Sequence, residues 1–283
     1  MEGIELWEPE ETVGKIWHAW AAGFDAPEVS PDAAVSLEDE VGRLSVLFRG
    51  LGGAPSVEIR PAARRLSSHR LSLRRKLGTM AEEVELATFD GEILRLPASM
   101  AVFPDPELNR GAYTWLAAMA AFARHYPAPS KDPVQTDLAQ IRAGLETIRA
   151  TRAACPGLVP LFDRLSTAYL KRRPVNRLPR AEATLESAIR YMLGESDPSP
   201  TAVALVSALE TGDPVTRELA APRKYKPMRP VPFWPNFQPP EISTVQRTEH
   251  PDQPEAQTQE TIEKSFKGKR QKSDSAESRD SLI

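Results

Sequence analysis

Three features of the sequence predict an α+β fold that is mostly α-helical. Apolar residues recur at helical spacing through most of residues 133–209. Between residues 57 and 97 they fall in short, partly alternating runs, which predict a small antiparallel sheet or hairpin pair. The stretch Ile93–Tyr126 joins the two patterns, because a strand-like run passes into a helix that is apolar nearly all round. We therefore expect the sheet to pack on a helical bundle with this helix at its centre.

The N-terminal region predicts two amphipathic helices. Residues 8–24 carry apolar side chains at helical spacing and form the first of them. Ser36 is a favourable N-cap for the second, which ends at the glycine-rich residues 50–53. These glycines lack the Gly-Lys-Ser/Thr ending and the preceding strand of a phosphate-binding loop, so they predict a turn.

Local signals mark the last hairpin of the sheet and the start of the central helix. Asp90 and Gly91 lie between two apolar runs, which is a strong hairpin signal. Pro97 ends the second of these runs. Asp105 is a good N-cap, and Pro106 suits the first helical position, where no amide donor is needed.

The second half of the chain predicts an antiparallel helical bundle. Its helices are joined by short turns that contain proline, as expected for neighbouring antiparallel helices. They are predicted at residues 133–153, 158–170, 181–193 and 201–209.

Changes in composition divide the chain into three parts. Residues 1–221 form the helical domain with its small β insertion. Residues 222–240 contain seven prolines interleaved with aromatic residues, which predicts an extended arm. Residues 241–283 are polar and charged, and we expect a disordered tail or linker, because so little apolar surface cannot offset the entropy lost on ordering.

Composition also limits the function and the compartment. A net charge of −3 and a pI near 5.9 argue against a general nucleic-acid-binding protein. The single cysteine, Cys155, excludes an intramolecular disulfide and favours a reducing compartment. The acidic N-terminus lacks the layout of a signal peptide, and no run of apolar residues is long enough to span a membrane. We expect a cytoplasmic protein without direct membrane insertion.

The sequence contains no signature of catalysis. It lacks the His-Glu-x-x-His and Gly-x-Ser-x-Gly motifs and any paired cysteines. Its histidines share no metal-ligand spacing; they are His18, His69, His125 and His250. We therefore predict no catalytic, cofactor-binding or metal-binding residue, and we expect a protein that is not an enzyme. An unrecognised hydrolase is the alternative, and a deep pocket with clustered ionisable groups would reveal it.

The segment Arg60–Lys76 is basic and contains no acidic residue. One interpretation is a solvated face with salt bridges to the acidic remainder of the chain. A second is a docking surface for an acidic protein partner, because clustered charge speeds and orients encounter. Binding of nucleic acid is a third, weakened by the absence of aromatic residues that would stack on bases.

Candidate partner-binding residues come from this basic segment and from the arm. Aromatic side chains in an extended arm either pack back on the parent domain or form a partner motif. The candidates are Arg64, Arg65, Arg70, Arg74, Arg75, Lys76, Phe233 and Trp234.

Short segments spread over residues 4–240 carry a family resemblance. They are Trp17-His18, Phe48–Gly53, His69–Arg74, Leu96-Pro97, Phe103–Asp105, Asn109-Arg110, Tyr113–Ala118 and Arg229–Trp234. In this order they resemble the N-terminal region of the nitric oxide reductase activation family NorD and its relative CbbO, the Rubisco-activase adaptor.

The resemblance implies an accessory protein that works with a hexameric MoxR-type AAA+ ATPase of the NorQ or CbbQ kind. In that family the ATPase supplies the energy and the adaptor recognises the client protein. The implied client is nitric oxide reductase, an enzyme of denitrification, and the alternative client is Rubisco. Full-length members continue into a von Willebrand factor A domain with a metal-ion-dependent adhesion site. This chain ends before such a domain, so we expect a truncated form or one piece of a split gene.

Overall fold

The computed structural model describes residues 30–66, 68–69, 83–174, 177–213, 216 and 219–240. In this part of the chain helices dominate and short strands form a small sheet, which confirms the predicted mostly helical α+β class. The helix predicted at residues 8–24 and the predicted tail at 241–283 lie outside the described residues.

The helices of the described part begin close to their predicted positions. They are α1 (Leu37–Gly50), α2 (Pro106–Ala121), α3 (Pro133–Ala154), α4 (Val159–Arg172), α5 (Arg180–Met192) and α6 (Pro200–Thr211). Both predicted N-caps are confirmed, because the Ser36 hydroxyl accepts from Glu38 N–H at 3.2 Å and the Asp105 carboxylate accepts from Glu107 N–H at 2.9 Å. Among these helices, none combines the length and apolar character needed to cross a membrane.

The strands are short and form one four-stranded sheet and two ribbons. They are β1 (Val35–Ser36), β2 (Glu58–Pro61), β3 (Arg64–Leu66), β4 (Glu83–Glu85), β5 (Thr88–Phe89), β6 (Ile93–Leu96), β7 (Ser99–Met100) and β8 (Asn236–Phe237). The sheet has the order β2-β6-β5-β8, and the antiparallel ribbons are β1–β7 and β3–β4.

Two glycine-containing turns occur where the sequence predicts them. Gly91 has a φ of 89° between the antiparallel strands β5 and β6, so the predicted hairpin is confirmed. After α1 the chain turns at Gly53, where an added Cβ would lie 2.2 Å from the ring of Phe48. A side chain at this position would displace Phe48 from the core.

Within residues 57–97 the predicted antiparallel pairs are present as β3–β4 and β5–β6, but the four-stranded sheet also contains two parallel pairings that the sequence did not predict. Strand β2 pairs with β6 in parallel, and β8 pairs with β5 in parallel. The turn at Asp90-Gly91 specifies only the hairpin, because a tight turn fixes the direction of the two strands that it joins. Strand β2 reaches β6 through the intervening β3–β4 segment, and β8 arrives from the arm, so their directions depend on tertiary packing.

Helix α2 is the centre of the core, as predicted. Tyr113 and Trp115 are fully buried, and the Trp115 ring lies 4.6 Å from that of Phe162 on α4. Asn109 is also fully buried; its amide accepts from Phe103 N–H at 2.9 Å and donates to the Ala33 carbonyl at 2.8 Å. These bonds connect α2 to the segments that precede α1 and α2, so the helix organises the N-terminal half of the described chain.

Candidate functional site

The ribbon β3–β4 carries the described part of the predicted basic surface. Arg64, Arg65 and Leu66 form β3 and are all exposed, Leu66 to 68%. The Arg64 guanidinium donates to Glu85 on β4 at 3.2 Å, yet the Arg64 side chain remains 73% exposed. We call Arg60–Leu66 with β4 the basic ribbon. Its exposed arginines and exposed leucine form a surface that a protein partner can contact.

The contacts of the basic ribbon are compatible with both leading interpretations of the basic segment, a solvated face and a docking surface for an acidic partner. Arg60 pairs with Glu58 on the same strand, and Arg64 pairs with Glu85, as expected for a solvated face. Exposed pairs of this kind stabilise a fold by only about 0–1 kcal/mol, so they leave the arginines able to change partner. The other basic candidates lie outside the described residues; they are Arg70, Arg74, Arg75 and Lys76.

The arm candidates Phe233 and Trp234 have different environments. Phe233 is fully buried, and its ring centroid lies 5.7 Å from Tyr169, 6.3 Å from Phe103 and 6.4 Å from Phe162. The arm therefore packs back on the helices at this residue, and Phe233 presents no surface to a partner. Trp234 is half-buried, and its role in partner binding stays a prediction.

Buried polar groups hold the arm against the helices. Asp137 on α3 accepts two hydrogen bonds at Oδ2, from the Tyr225 hydroxyl and from Met228 N–H at 2.7 Å. Burial raises the pKa of Asp137 above its usual range, although both hydrogen bonds oppose this shift. Burial and the hydrogen bond to Asp137 raise the pKa of the Tyr225 phenol. The pair therefore stays hydrogen-bonded with the tyrosine neutral.

Arg173, just after α4, is the second anchor of the arm. Its side chain is fully buried and donates to both carboxylate oxygens of Glu186 on α5, at 2.7 and 2.8 Å. It also donates to the Arg229 carbonyl at 2.8 Å. One guanidinium thus joins α4, α5 and the arm, which uses the several donors that only arginine offers in one plane.

The end of the arm closes one edge of the four-stranded sheet. Strand β8 pairs with β5, and the Asn236 N–H donates to the Ala87 carbonyl at 2.8 Å. On α3 the Gln140 amide bonds both backbone groups of Phe237, accepting from its N–H at 3.1 Å and donating to its carbonyl at 2.5 Å. Gln140 thereby takes the place of a further strand.

Sequence reasoning missed these anchors. Asp137 and Gln140 lie on α3, and Arg173 lies just after α4. Their partners in the arm are far away in the sequence. The one available signal was the position of Asp137 on the buried side of α3, between Val134 and Ile141, where an unpaired carboxylate is unfavourable.

The anchor at Asp137 predicts a pH-dependent stability. A carboxyl group whose pKa is raised by folding binds its proton more tightly in the folded state, so stability falls as pH rises from its ordinary value of 3.8 through the folded pKa. Asp137→Asn cannot ionise and loses this dependence. Denaturant titrations from acid to neutral pH should therefore show wild type losing stability relative to Asp137→Asn as pH rises, and parallel curves would contradict the raised pKa.

Two other buried carboxylates, Glu40 and Asp90, are held by arginines. Glu40 on α1 accepts from Arg43 at 2.6 Å and from Arg110 on α2 at 2.8 Å. Burial alone would raise the pKa of Glu40, but the hydrogen bonds from Arg110 and Arg43 outweigh it and lower the pKa. Asp90 is paired with Arg95 in the same way, at 2.7 Å. Among the described residues no three His, Cys, Asp or Glu side chains are grouped as a metal ion requires.

Comparison with known proteins gives relatives named Protein NorD and one uncharacterized relative. Protein NorD of Brucella suis is 36% identical over 235 residues, which are 83% of this chain and 36% of that protein. Protein NorD of Stutzerimonas stutzeri is 35% identical over 192 residues, which are 66% of this chain and 29% of that protein. An uncharacterized protein of Pseudomonas aeruginosa is 40% identical over 190 residues, which are 66% of this chain and 29% of that protein.

The other comparisons add no further relative. No protein-family model matches the chain, and no solved structure matches it significantly. The chain spans about a third of the length of the NorD relatives, since the alignment covers 36% of the Brucella suis protein. Over the aligned region, this chain is a homologue of the proteins named NorD and belongs to their family.

Proposed function

We propose that the chain is a NorD-like accessory protein in the activation of nitric oxide reductase and that it is not an enzyme. The homology to NorD proteins over 83% of the chain supports this role. We further propose that it acts as an adaptor for a MoxR-type AAA+ ATPase, as the family resemblance implies. In this proposal the ATPase supplies the energy, and the chain contributes a rigid folded unit through which force reaches the client.

The exposure of the basic side chains on the basic ribbon is the observation that best supports the adaptor role. On β3 the ribbon exposes Arg64 and Leu66 on one face and Arg65 on the other. In the register of the ribbon, Arg64 and Leu66 lie opposite Glu85 and Glu83 of β4. Exposed arginines steer an acidic partner into contact, and an apolar residue among them contributes surface that is buried on binding. Within the ribbon, β3 and β4 pair through their backbones, so the side chains of β3 are presented on an ordered strand.

Nitric oxide consumption by cells tests the proposed role. Cells that contain nitric oxide reductase but lack the gene for this chain should consume nitric oxide slowly, although the reductase polypeptide is present. The wild-type gene should restore the rate. Unchanged consumption in the deletion strain would contradict the role, and a loss of Rubisco activity in its place would favour the CbbO-like alternative.

Reversing the charge of the basic ribbon should weaken the complex with the ATPase. Arg64→Glu with Arg65→Glu replaces attraction by repulsion, and we expect affinity to fall at least about tenfold at low salt, with a smaller difference at high salt. Isothermal titration of the full chain with the ATPase hexamer measures this.

A charge-matched control is Arg49→Glu with Arg124→Glu, two exposed arginines outside the basic ribbon. The control should bind within about twofold of wild type, because it changes the net charge equally and leaves Arg64 and Arg65 in place. If the ribbon variant binds as tightly as the control does, the ribbon is not the contact surface. Salt-sensitive binding of wild type to DNA, with no ATPase complex, would favour the nucleic-acid interpretation.

A further inference from the structure

A second positively charged surface surrounds a cleft between α5 and the arm. The cleft is small, with a volume of about 30 Å³, and lies between the α4–α5 connection and the arm. Leu178, Leu185 and Met228 contribute apolar walls, and Lys226 and Arg229 lie in its lining. We call this the arm cleft. Its lining also includes His69, which lies three residues after the basic ribbon in the sequence.

Two basic segments that are distant in sequence meet at the arm cleft. Residues 171–180 contain five cationic side chains and residues 223–229 contain four, with no acidic residue in either. Arg177, Arg180 and Lys226 are exposed at or beside the lining. The structure thus combines two modest charge runs into one surface, which neither run indicates alone.

The carboxylates in the lining are already engaged. Glu186 forms the bidentate pair with buried Arg173. Glu182 is only 7% exposed, and its carboxylate accepts a hydrogen bond from the Lys226 backbone N–H at 3.2 Å. Since these acids are held inside the fold, the cations on the rim dominate the charge that an approaching molecule meets.

The backbone beside the cleft has a feature that favours a role for a lysine side chain. The Tyr225 N–H donates to the Pro222 carbonyl at 2.9 Å, which closes a turn with Lys224 at its third position. Lys224 has a φ of 76°, in the left-handed region where glycine is more favourable than any residue with a Cβ. A residue held in such a conformation often serves a function that its side chain supplies.

We propose that the arm cleft binds an acidic segment of a partner protein, with the carboxylates of the segment on the rim cations and an apolar side chain of the segment against the apolar walls at the mouth of the cleft. Apolar walls inside a cationic rim match an apolar residue flanked by glutamate or aspartate. A nucleic acid fits less well, because Tyr225 is the one Phe, Tyr or Trp ring in the lining and is half-buried, so the cleft offers little aromatic surface on which bases could stack. This inference goes beyond the ATPase adaptor role and does not depend on it.

Fluorescence anisotropy with the full chain tests the proposal. The probe is a fluorescein-labelled 12-residue peptide with two leucines flanked by glutamates, and the control peptide has glutamine in place of each glutamate. We expect Arg177→Glu with Lys226→Glu to weaken binding of the acidic peptide at least about tenfold at low salt. The charge-matched control, Arg49→Glu with Arg124→Glu, changes two exposed arginines outside both basic surfaces and should stay within about twofold of wild type.

Lys224→Gly separates a binding role from a structural one. Glycine relieves the left-handed conformation, so the melting temperature should hold or rise while affinity for the acidic peptide falls. Three results would each overturn the proposal: no binding of the acidic peptide, equal binding of the glutamine peptide, or an equal loss in the control variant. Tight binding of a single-stranded oligonucleotide that displaces the peptide would also overturn it, since the surface would then be a nucleic-acid site.

Discussion

Phe233→Ala is expected to lower the free energy of unfolding by about 3–5 kcal/mol, the range found when a buried phenylalanine is truncated. The ring is fully buried among Phe103, Phe162 and Tyr169, so its removal leaves a cavity where the arm meets α4. Urea titration of the full chain, followed by tryptophan fluorescence, measures the change.

The control for Phe233 is Leu66→Ala on the basic ribbon. Leu66 is 68% exposed, so its truncation should change stability by less than about 0.5 kcal/mol. A loss below about 1 kcal/mol in Phe233→Ala would mean that the arm is only loosely attached. In that case Phe233 would be available to a partner, and the partner motif would become the better interpretation of the arm.

Arg173→Met is expected to destabilise the fold by about 3–5 kcal/mol, as when one partner of a buried ion pair is removed. The change leaves Glu186 without its bidentate partner and the Arg229 carbonyl without its donor. It should also loosen the arm selectively, because Arg173 connects the arm to both α4 and α5. Hydrogen exchange should therefore accelerate in residues 225–237 before it does so in α2.

A second variant separates the buried charge from the loss of packing. Arg173→Met combined with Glu186→Leu removes both charges, and it should recover part of the stability lost in the single variant, because no uncompensated carboxylate remains. An additive loss in the double variant would show that the arginine acts mainly through its bonds to the arm carbonyls. A single variant as stable as wild type would contradict the anchoring role altogether.

The elements that the sequence predicted well are those determined by local interactions. The N-cap at Asp105 and the hairpin at Asp90-Gly91 depend on residues within a few positions of one another, and both are present. The buried character of α2 follows from its nearly continuous apolar composition. Each of these features is encoded within one short segment.

The missed features depend on contacts between distant segments. Arg173 stands in the run Lys171-Arg172-Arg173, where the sequence cannot show that the third cation alone is fully buried. The parallel pairing of β8 with β5 likewise depends on how the arm crosses the helices, which no local pattern encodes. The same limit applies to the arm cleft, because it forms only where two separate basic segments meet.

Anchoring of the arm also bears on the proposed role. The arm leads from the helices to residue 240, where the described part of the chain ends. Because Arg173 and Asp137 attach it to α3, α4 and α5, a pull on the chain beyond the arm would act on the helical bundle. Such coupling is consistent with the adaptor role that we propose.

Sedimentation velocity of the full chain mixed with the MoxR-type ATPase hexamer and ATP tests the central claim most directly. If the chain acts by holding protein partners, it should sediment with the hexamer, and the complex should dissociate as salt is raised or when Arg64 and Arg65 are changed to glutamate. Independent sedimentation of chain and hexamer at low salt would contradict the account.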